Sequence, residues 1–470
     1  MAFGALVGSA RGAPVFAVSS TLDEPDATLD GNCVSTPSGL CTLRAAVQEA
    51  NFAGTATVTV PAGLYVLTRN VVGTDDGSVG DLDIGLSTTD PTKSKAANVT
   101  IVGAGADRTI IDGNGSHRVV DIHDDLVDGR GVATISGVSI RDGQTLNDLD
   151  SVASHWHGGA LHNHGQLTLS DSTVSDSNST KSGWGGGGIT NASSGVALLQ
   201  NVTFSNDATA AHGGAIENLG AMKLFNVTIS QSSAPATQGG GVYGGGASTR
   251  LNNTIVAEDT TGGDCAGTIV SVGNNLAGDA TCAFAGPGDL NSTNPLLAAV
   301  MNTAGSIWVY ALQSGSPAID AGSGPYNGGT DTGCLATDER GVPRPQDGNA
   351  DGIAVCDIGS YEAQPGLITV TKRLVPTYDP GRFNLLIDGT VYATNVGDGG
   401  TTGPIAVLPG SSHTVSETAG TNTILSRYVT TIRCSNGSFA RGTSLSGVQA
   451  GAGSTVDCTI ENTRRLYRVP

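Results

Sequence analysis

Between Val132 and Thr260 the chain repeats itself, and the period of that repeat limits the fold more than any other feature. Four windows align: His157-Gly-Gly-Ala-Leu-His-Asn163, Gly185-Gly-Gly-Gly-Ile-Thr-Asn191, His212-Gly-Gly-Ala-Ile-Glu-Asn218 and Gln238-Gly-Gly-Gly-Val-Tyr-Gly244, at steps of 28, 27 and 26 residues. Each is followed by a second block: Leu167-Thr-Leu-Ser-Asp-Ser-Thr-Val174, Val196-Ala-Leu-Leu-Gln-Asn-Val-Thr-Phe204, Met222-Lys-Leu-Phe-Asn-Val-Thr-Ile229 and Thr249-Arg-Leu-Asn-Asn-Thr-Ile-Val256. A fixed period in this range means stacked units, none of which can bury an apolar face alone. Leu167 and Leu169 alternate with polar residues, as do Met222 and Leu224 about Lys223, which is the period of two of a strand. Thr and Val suit strands, while Gly pairs and Asn/Asp/Ser clusters mark sharp turns between them. The pattern predicts an all-β chain built around a right-handed parallel β-helix with coils about 4.8 Å apart. Leu169, Ile189, Leu199, Ile216, Leu224 and Ile229 point inward, and Asn163, Asn191 and Asn218 form one ladder. A globular sandwich is the competing fold, but it demands no repetition at one period.

His212-Gly-Gly-Ala-Ile216 and Phe204-Ser-Asn206 resemble the Gly-Gly-Ala-[Ile/Leu] and Phe-x-x-Asn repeats of polymorphic outer-membrane proteins, with one residue fewer between Phe and Asn. The resemblance implies a surface β-helix of pectin lyase-like architecture and says little about activity. Composition agrees: 470 residues hold 69 Gly and only 4 % aromatics, as tight turns around an aliphatic core require. The net charge of −19 argues against nucleic acid, whose phosphates need clustered Lys and Arg. It is compatible with calcium or a cationic surface. The eight cysteines fall in four local pairs, Cys33/Cys41, Cys265/Cys282, Cys334/Cys356 and Cys434/Cys458. An even number with each pair bounding one loop predicts four disulfides and an oxidising compartment, hence a secreted or cell-surface protein. No apolar run approaches the roughly 20 residues of a membrane span. Residues 1–17, with an apolar run broken at Arg11, read as the remnant of a signal peptide.

In chain order, Cys41-Thr-Leu-Arg-Ala-Ala-Val-Gln-Glu-Ala-Asn51 is the one strong helix, with Thr42 as N-cap and Leu43, Val47 and Ala50 on one face. Its Cys-Thr-Leu-Arg-Ala-Ala run resembles the CSLREA domain, departing at Thr42 and Ala45, and implies an N-terminal cap over residues 18–56 ahead of coils over 57–289. The loop Thr74–Asp83 reads as a solvated acidic turn, with calcium binding as the alternative. The most site-like stretch is Arg141–His157. Stacking brings His157 into register with Gly185, with His212 one coil further on, and sets His162, Thr190, Glu217 and Tyr243 in one column. These positions alternate with the apolar ones and are expected to face outward. His155, His157, His162, His212, Glu217 and Tyr243 thus form a candidate binding patch for a glycan, a protein ligand or a metal. The plainer reading is an aligned polar face.

Residues 290–363, with Asn294-Pro-Leu-Leu297, Tyr310-Ala-Leu-Gln-Ser-Gly-Ser-Pro-Ala-Ile-Asp320 and Cys356-Asp-Ile-Gly-Ser-Tyr-Glu362, resemble the choice-of-anchor Q domain of bacterial surface proteins. The resemblance implies closure of the solenoid's end. Asp347-Gly-Asn-Ala-Asp351-Gly352 has the first half of a calcium loop, with Asp347, Asn349 and Asp351 as ligands, but Ile358 stands where the loop's Glu belongs. After a short linker, residues 367–470 carry strands at sandwich spacing. Val-Thr-Lys372, Ser-Glu417 and Glu-Asn462-Thr resemble the prealbumin-like, SpaA-type domains of surface proteins. That resemblance implies an isopeptide bond between Lys372 and Asn462, assisted by Glu417.

Taken together, the residues favour an adhesin-like structural and interaction protein with no definite cofactor beyond candidate Ca2+. The alternative is a polysaccharide lyase or glycoside hydrolase, since β-helices also host such enzymes, with Asp148, Asp150 and Glu217 as catalytic candidates. A hydrolase needs two carboxyl groups about 5–10 Å apart, and Glu217 has no evident partner in the sequence.

Overall fold

The structure, a computed structural model, describes residues 12–69, 77–86, 96–125, 129–145, 157–325 and 332–465. His155, Asp148 and Asp150 lie outside them, as do residues 1–11 of the proposed signal-peptide remnant. The chain divides into two compact units, Met1–Arg344 with Cys356–Glu362, and Pro345–Val355 with Ala363–Pro470. Both are β structures; the α-helix among the described residues is Leu43–Ala53.

In the first unit, equivalent positions of successive repeats pair in parallel sheets. One column runs Val58, Ile101, Ile135, Leu169, Leu199, Leu224 and Leu251. A second runs Ile111, Ile140, Val174, Phe204, Ile229 and Val256, and a third Leu82, Val120, Leu161, Ile189, Ile216 and Val242. All of these side chains are buried in one continuous core, so the six inward positions expected from the repeat are inward. At about 25 cal/mol per Å2, burial of each such aliphatic stabilises by roughly 1.5–3 kcal/mol, and no single repeat could obtain that alone.

The corners explain the turn residues. Asp171, Asn201, Asn226 and Asn253 have φ near +50°, as do Asp142, Asp176 and Asn206 at a second corner. Asn and Asp tolerate this left-handed region better than other side chains. A third corner falls on Gly158, Gly186, Gly213 and Gly239, with φ between 63° and 70°. There a Cβ would collide with backbone carbonyls such as those of Leu161 and Ile216, so the glycine at the second place of each window is required. Beside this corner the expected ladder is present: Asn163 Nδ2 donates to Asn191 Oδ1 and Asn191 Nδ2 to Asn218 Oδ1, both at 2.7 Å.

Thr42 caps the helix, its hydroxyl accepting from the Ala45 amide, and Gly54 ends it in the left-handed region. Leu43, Val47 and Ala50 join the core of the first repeats. Arg44 is 1 % exposed and is held by Asp23 at 2.7 Å and the carbonyls of Gly80 and Asp81. The acidic turn is not solvated where described: Asp81 and Asp83 are buried, because Arg118 pairs with the first and His123 with the second. The segment after residue 290 runs along the side of the stack. Glu339 accepts from the Thr173 and Thr203 hydroxyls at 2.9 and 2.6 Å, Asn226 donates to the Gly359 carbonyl, and Asn253 donates to Ser323. The four expected disulfides are formed.

The second unit holds two sheets. In one, Gly366–Val375 lies between Thr401–Val407 and Thr455–Arg464, and the latter pairs with Tyr428–Cys434. In the other, Phe383–Ile387 pairs with Thr390–Val396 and His413–Ala419. Ile368, Val370, Leu385, Val415, Ile432, Cys458 and Ile460 fill the core.

Candidate functional site

The C-terminal site arises from a break in alternation. Along Gly366–Val375 the buried positions are Ile368, Val370, Lys372 and Leu374, and along Thr455–Arg464 they are Val456, Cys458, Ile460 and Asn462. Lysine and asparagine thus stand where aliphatics would be expected. Parallel pairing sets Lys372 opposite Ile460 and Leu374 opposite Asn462, so the two polar side chains are near neighbours on adjoining strands. Glu417 comes from the other sheet, two residues beyond buried Val415. Lys372 Nζ donates to Glu417 Oε2 at 2.6 Å and to the Ile460 carbonyl at 3.2 Å, and lies 4.3 Å from the centre of the Phe383 ring. Glu417 Oε1 accepts from Thr430 at 3.2 Å. Asn462 is fully buried, yet neither its Oδ1 nor its Nδ2 has a hydrogen-bond partner. An unsatisfied buried amide costs about 1–3 kcal/mol per group, so this is an expensive place for an asparagine that does nothing.

Burial lowers the Lys372 amine to about 8 from its ordinary 10.5, against the opposing pull of Glu417. At pH 7 that leaves about a tenth of the amine neutral, against roughly one part in three thousand at the ordinary value. The arrangement therefore offers a partly deprotonated amine, a neighbouring carboxyl able to carry its proton, and a dehydrated carboxamide.

In the first unit the polar column forms in the expected register, His162 beside Thr190, Thr190 beside Glu217, and Glu217 beside Tyr243. Its orientation toward solvent is not as expected. His162 is 1 % and Glu217 3 % exposed, because other side chains cover them. Glu217 Oε2 lies 3.5 Å from His157 Nδ1, and Oε1 lies 3.5 Å from His212 Nδ1. The His157 ring stacks on His162 and meets Trp184 edge-on, and His212 stacks on Tyr243. Burial holds the His162 imidazole well below its ordinary value, so it is neutral. Five of the six proposed patch residues are thus brought together. Trp184 was missed; its place one residue before a glycine window was the available signal.

In the loop of Asp347, Asn349 and Asp351, the side-chain oxygens are turned onto the loop itself. Asp347 accepts from the Asp351 and Gly352 amides and Asn349 from the Asp351 amide, at 2.9–3.0 Å.

Residues 382–464 match a family of prealbumin-like fold domains, SpaA_3. Glu417 and Asn462 fall inside the match and Lys372 precedes it. No curated protein sequence matches the chain. Among solved structures, a mutant of the major pilin from Streptococcus pyogenes is similar, with 15 % identity, over 24 % of this chain and 53 % of the pilin, at a TM-score of 0.17. The chain therefore spans about half the length of that pilin. A prealbumin-like sandwich of this type and four disulfides fit a cell-surface structural protein. No helix among the described residues is long and apolar enough to cross a membrane.

Proposed function

We propose that this is a secreted or cell-surface structural and interaction protein whose C-terminal domain locks itself with an isopeptide bond. Lys372 Nζ attacks Asn462 Cγ; the N–C bond forms, the bond from Cγ to Nδ2 breaks, and ammonia leaves. Glu417 takes the proton from the amine and returns it to the departing nitrogen. The carrying observation is the buried Lys372–Glu417 contact beside an asparagine with no hydrogen-bond partner. The bond would tie the first strand of the domain to the last, which suits a stalk under pulling force. In the same reading the repeats form a right-handed parallel β-helix, supported by columns in parallel register and three left-handed corners per repeat. Helix Leu43–Ala53 caps its start, and the segment after residue 290 packs along its side through Glu339 and Gly359. The cluster of His157, Trp184, Glu217, His212 and Tyr243 is the surface for a glycan or protein ligand, because Trp184, His212 and Tyr243 keep partial exposure. Intact mass tests the bond: wild-type protein lacks roughly 17 Da, the mass of one ammonia, and Glu417→Ala restores it. A wild-type mass equal to that of the sequence less the disulfide hydrogens overturns the bond.

A further inference from the structure

The third column of the stack carries, on the side facing away from the core, a group that the reading above does not use. Asp83 of strand Leu82–Ile84 pairs in register with Asp121 of strand Val120–Ile122. His123 is two residues beyond Asp121, so it emerges on the same side. One donor atom from each of the three lies within 4.8 Å of the other two. His123 Nε2 and Asp83 Oδ1 are 2.7 Å apart. Both carboxylates are 2 % exposed, and the His123 side chain is 22 % exposed, so the site is open on the histidine side only.

A further observation points to a cation. Asp121 gives Oδ2 to Arg118 at 2.7 Å, whereas its buried Oδ1 accepts no hydrogen bond and faces His162 Nδ1 at 3.7 Å. A buried carboxylate oxygen is normally satisfied.

We propose that Asp83, Asp121 and His123 bind a divalent transition metal of the zinc class. Donors to one such ion at about 2.0–2.2 Å lie about 3–4.4 Å apart, so little closing is needed. Two carboxylates and an imidazole suit Zn2+ or Co2+, whereas calcium takes oxygen donors. Because Asp83 and Asp121 belong to successive repeats, the ion staples the first repeats together while leaving coordination positions toward solvent.

The test is calorimetric titration of the EDTA-treated full-length chain with ZnCl2, and separately with CaCl2. The expected result is one Zn2+ per chain, bound about micromolar or tighter, with a raised melting temperature and no comparable calcium effect. His123→Ala and Asp121→Asn each weaken binding at least about tenfold, while Asp107→Asn, at an exposed ion pair with Arg108, leaves it unchanged. His123 is partly exposed, so its variant decides the matter if Asp121→Asn fails to fold; circular dichroism checks that fold. Absence of zinc binding by the wild type, or full binding by folded His123→Ala, overturns the site.

Discussion

Blocking the proposed isopeptide bond exposes a pH dependence whose size follows from the burial of Lys372. Asn462→Ala removes the carboxamide and leaves Lys372 and Glu417 in place. Burial holds the folded amine at about 8, against 10.5 for an ordinary lysine. Between those values the unfolded chain binds more protons than the folded one, so stability rises with pH. The penalty is absent above pH 10.5, grows as pH falls, and is complete below about 8. A difference of about 2.5 in pKa, at about 1.4 kcal/mol each, corresponds to about 3 kcal/mol. The assay is calorimetric melting of the full-length Asn462→Ala chain from pH 7 to 10.5. Asn462→Ala with Lys372→Met is the reference, because it removes the amine that titrates in this range. Relative to that reference, the transition of the C-terminal domain should rise by at least about 10 °C over this range. A constant difference between the two variants would refute the reasoning, because it would mean that Lys372 in the unbonded domain keeps an ordinary amine.

Other outcomes follow from the first unit and the cysteines. Peptide mapping without reduction should recover Cys33–Cys41, Cys265–Cys282, Cys334–Cys356 and Cys434–Cys458, each contributing about 2–4 kcal/mol by chain-entropy estimates; eight free thiols would contradict this. Ile216→Asp should cost more than about 4 kcal/mol, since it puts an unpaired charge between Ile189 and Val242, and should melt several repeats in a hydrogen-exchange experiment. Glu217→Ala should cost about 1–3 kcal/mol rather than nothing, because Glu217 is buried and accepts from the Thr190 hydroxyl at 3.4 Å. Asn191→Ala should cost about 2–4 kcal/mol in denaturant titration, since Asn191 bonds Asn163, Asn218 and the carbonyls of Gly195 and Ala221; a neutral result would mean that the ladder is incidental.

What could be read from the sequence was what repeats locally. Alternation of Leu167 and Leu169, glycine at one corner and Asn or Asp at another are demands on single residues by the backbone or the core, and they recur at each step. The inward positions and the Asn163–Asn191–Asn218 ladder followed from them. Lys372, Glu417 and Asn462 were reached by resemblance, and the alternation that buries Lys372 and Asn462 agrees with it. Burial of Glu217 and His162 was not legible. Alternation says only that a side chain leaves the core, whereas Trp184, His157 and His212, brought over it by the turns, decide whether it meets water. Nor was the Asp83–Asp121–His123 group legible, because its members lie on different repeats with the loops between them unlike in length, so that only strand pairing aligns the two carboxylates. The course of the segment after residue 290 depended on tertiary structure in the same way. Glu339 reaches Thr173 and Thr203 across more than 130 residues of chain, and hydrogen bonds of that span leave no period in a sequence.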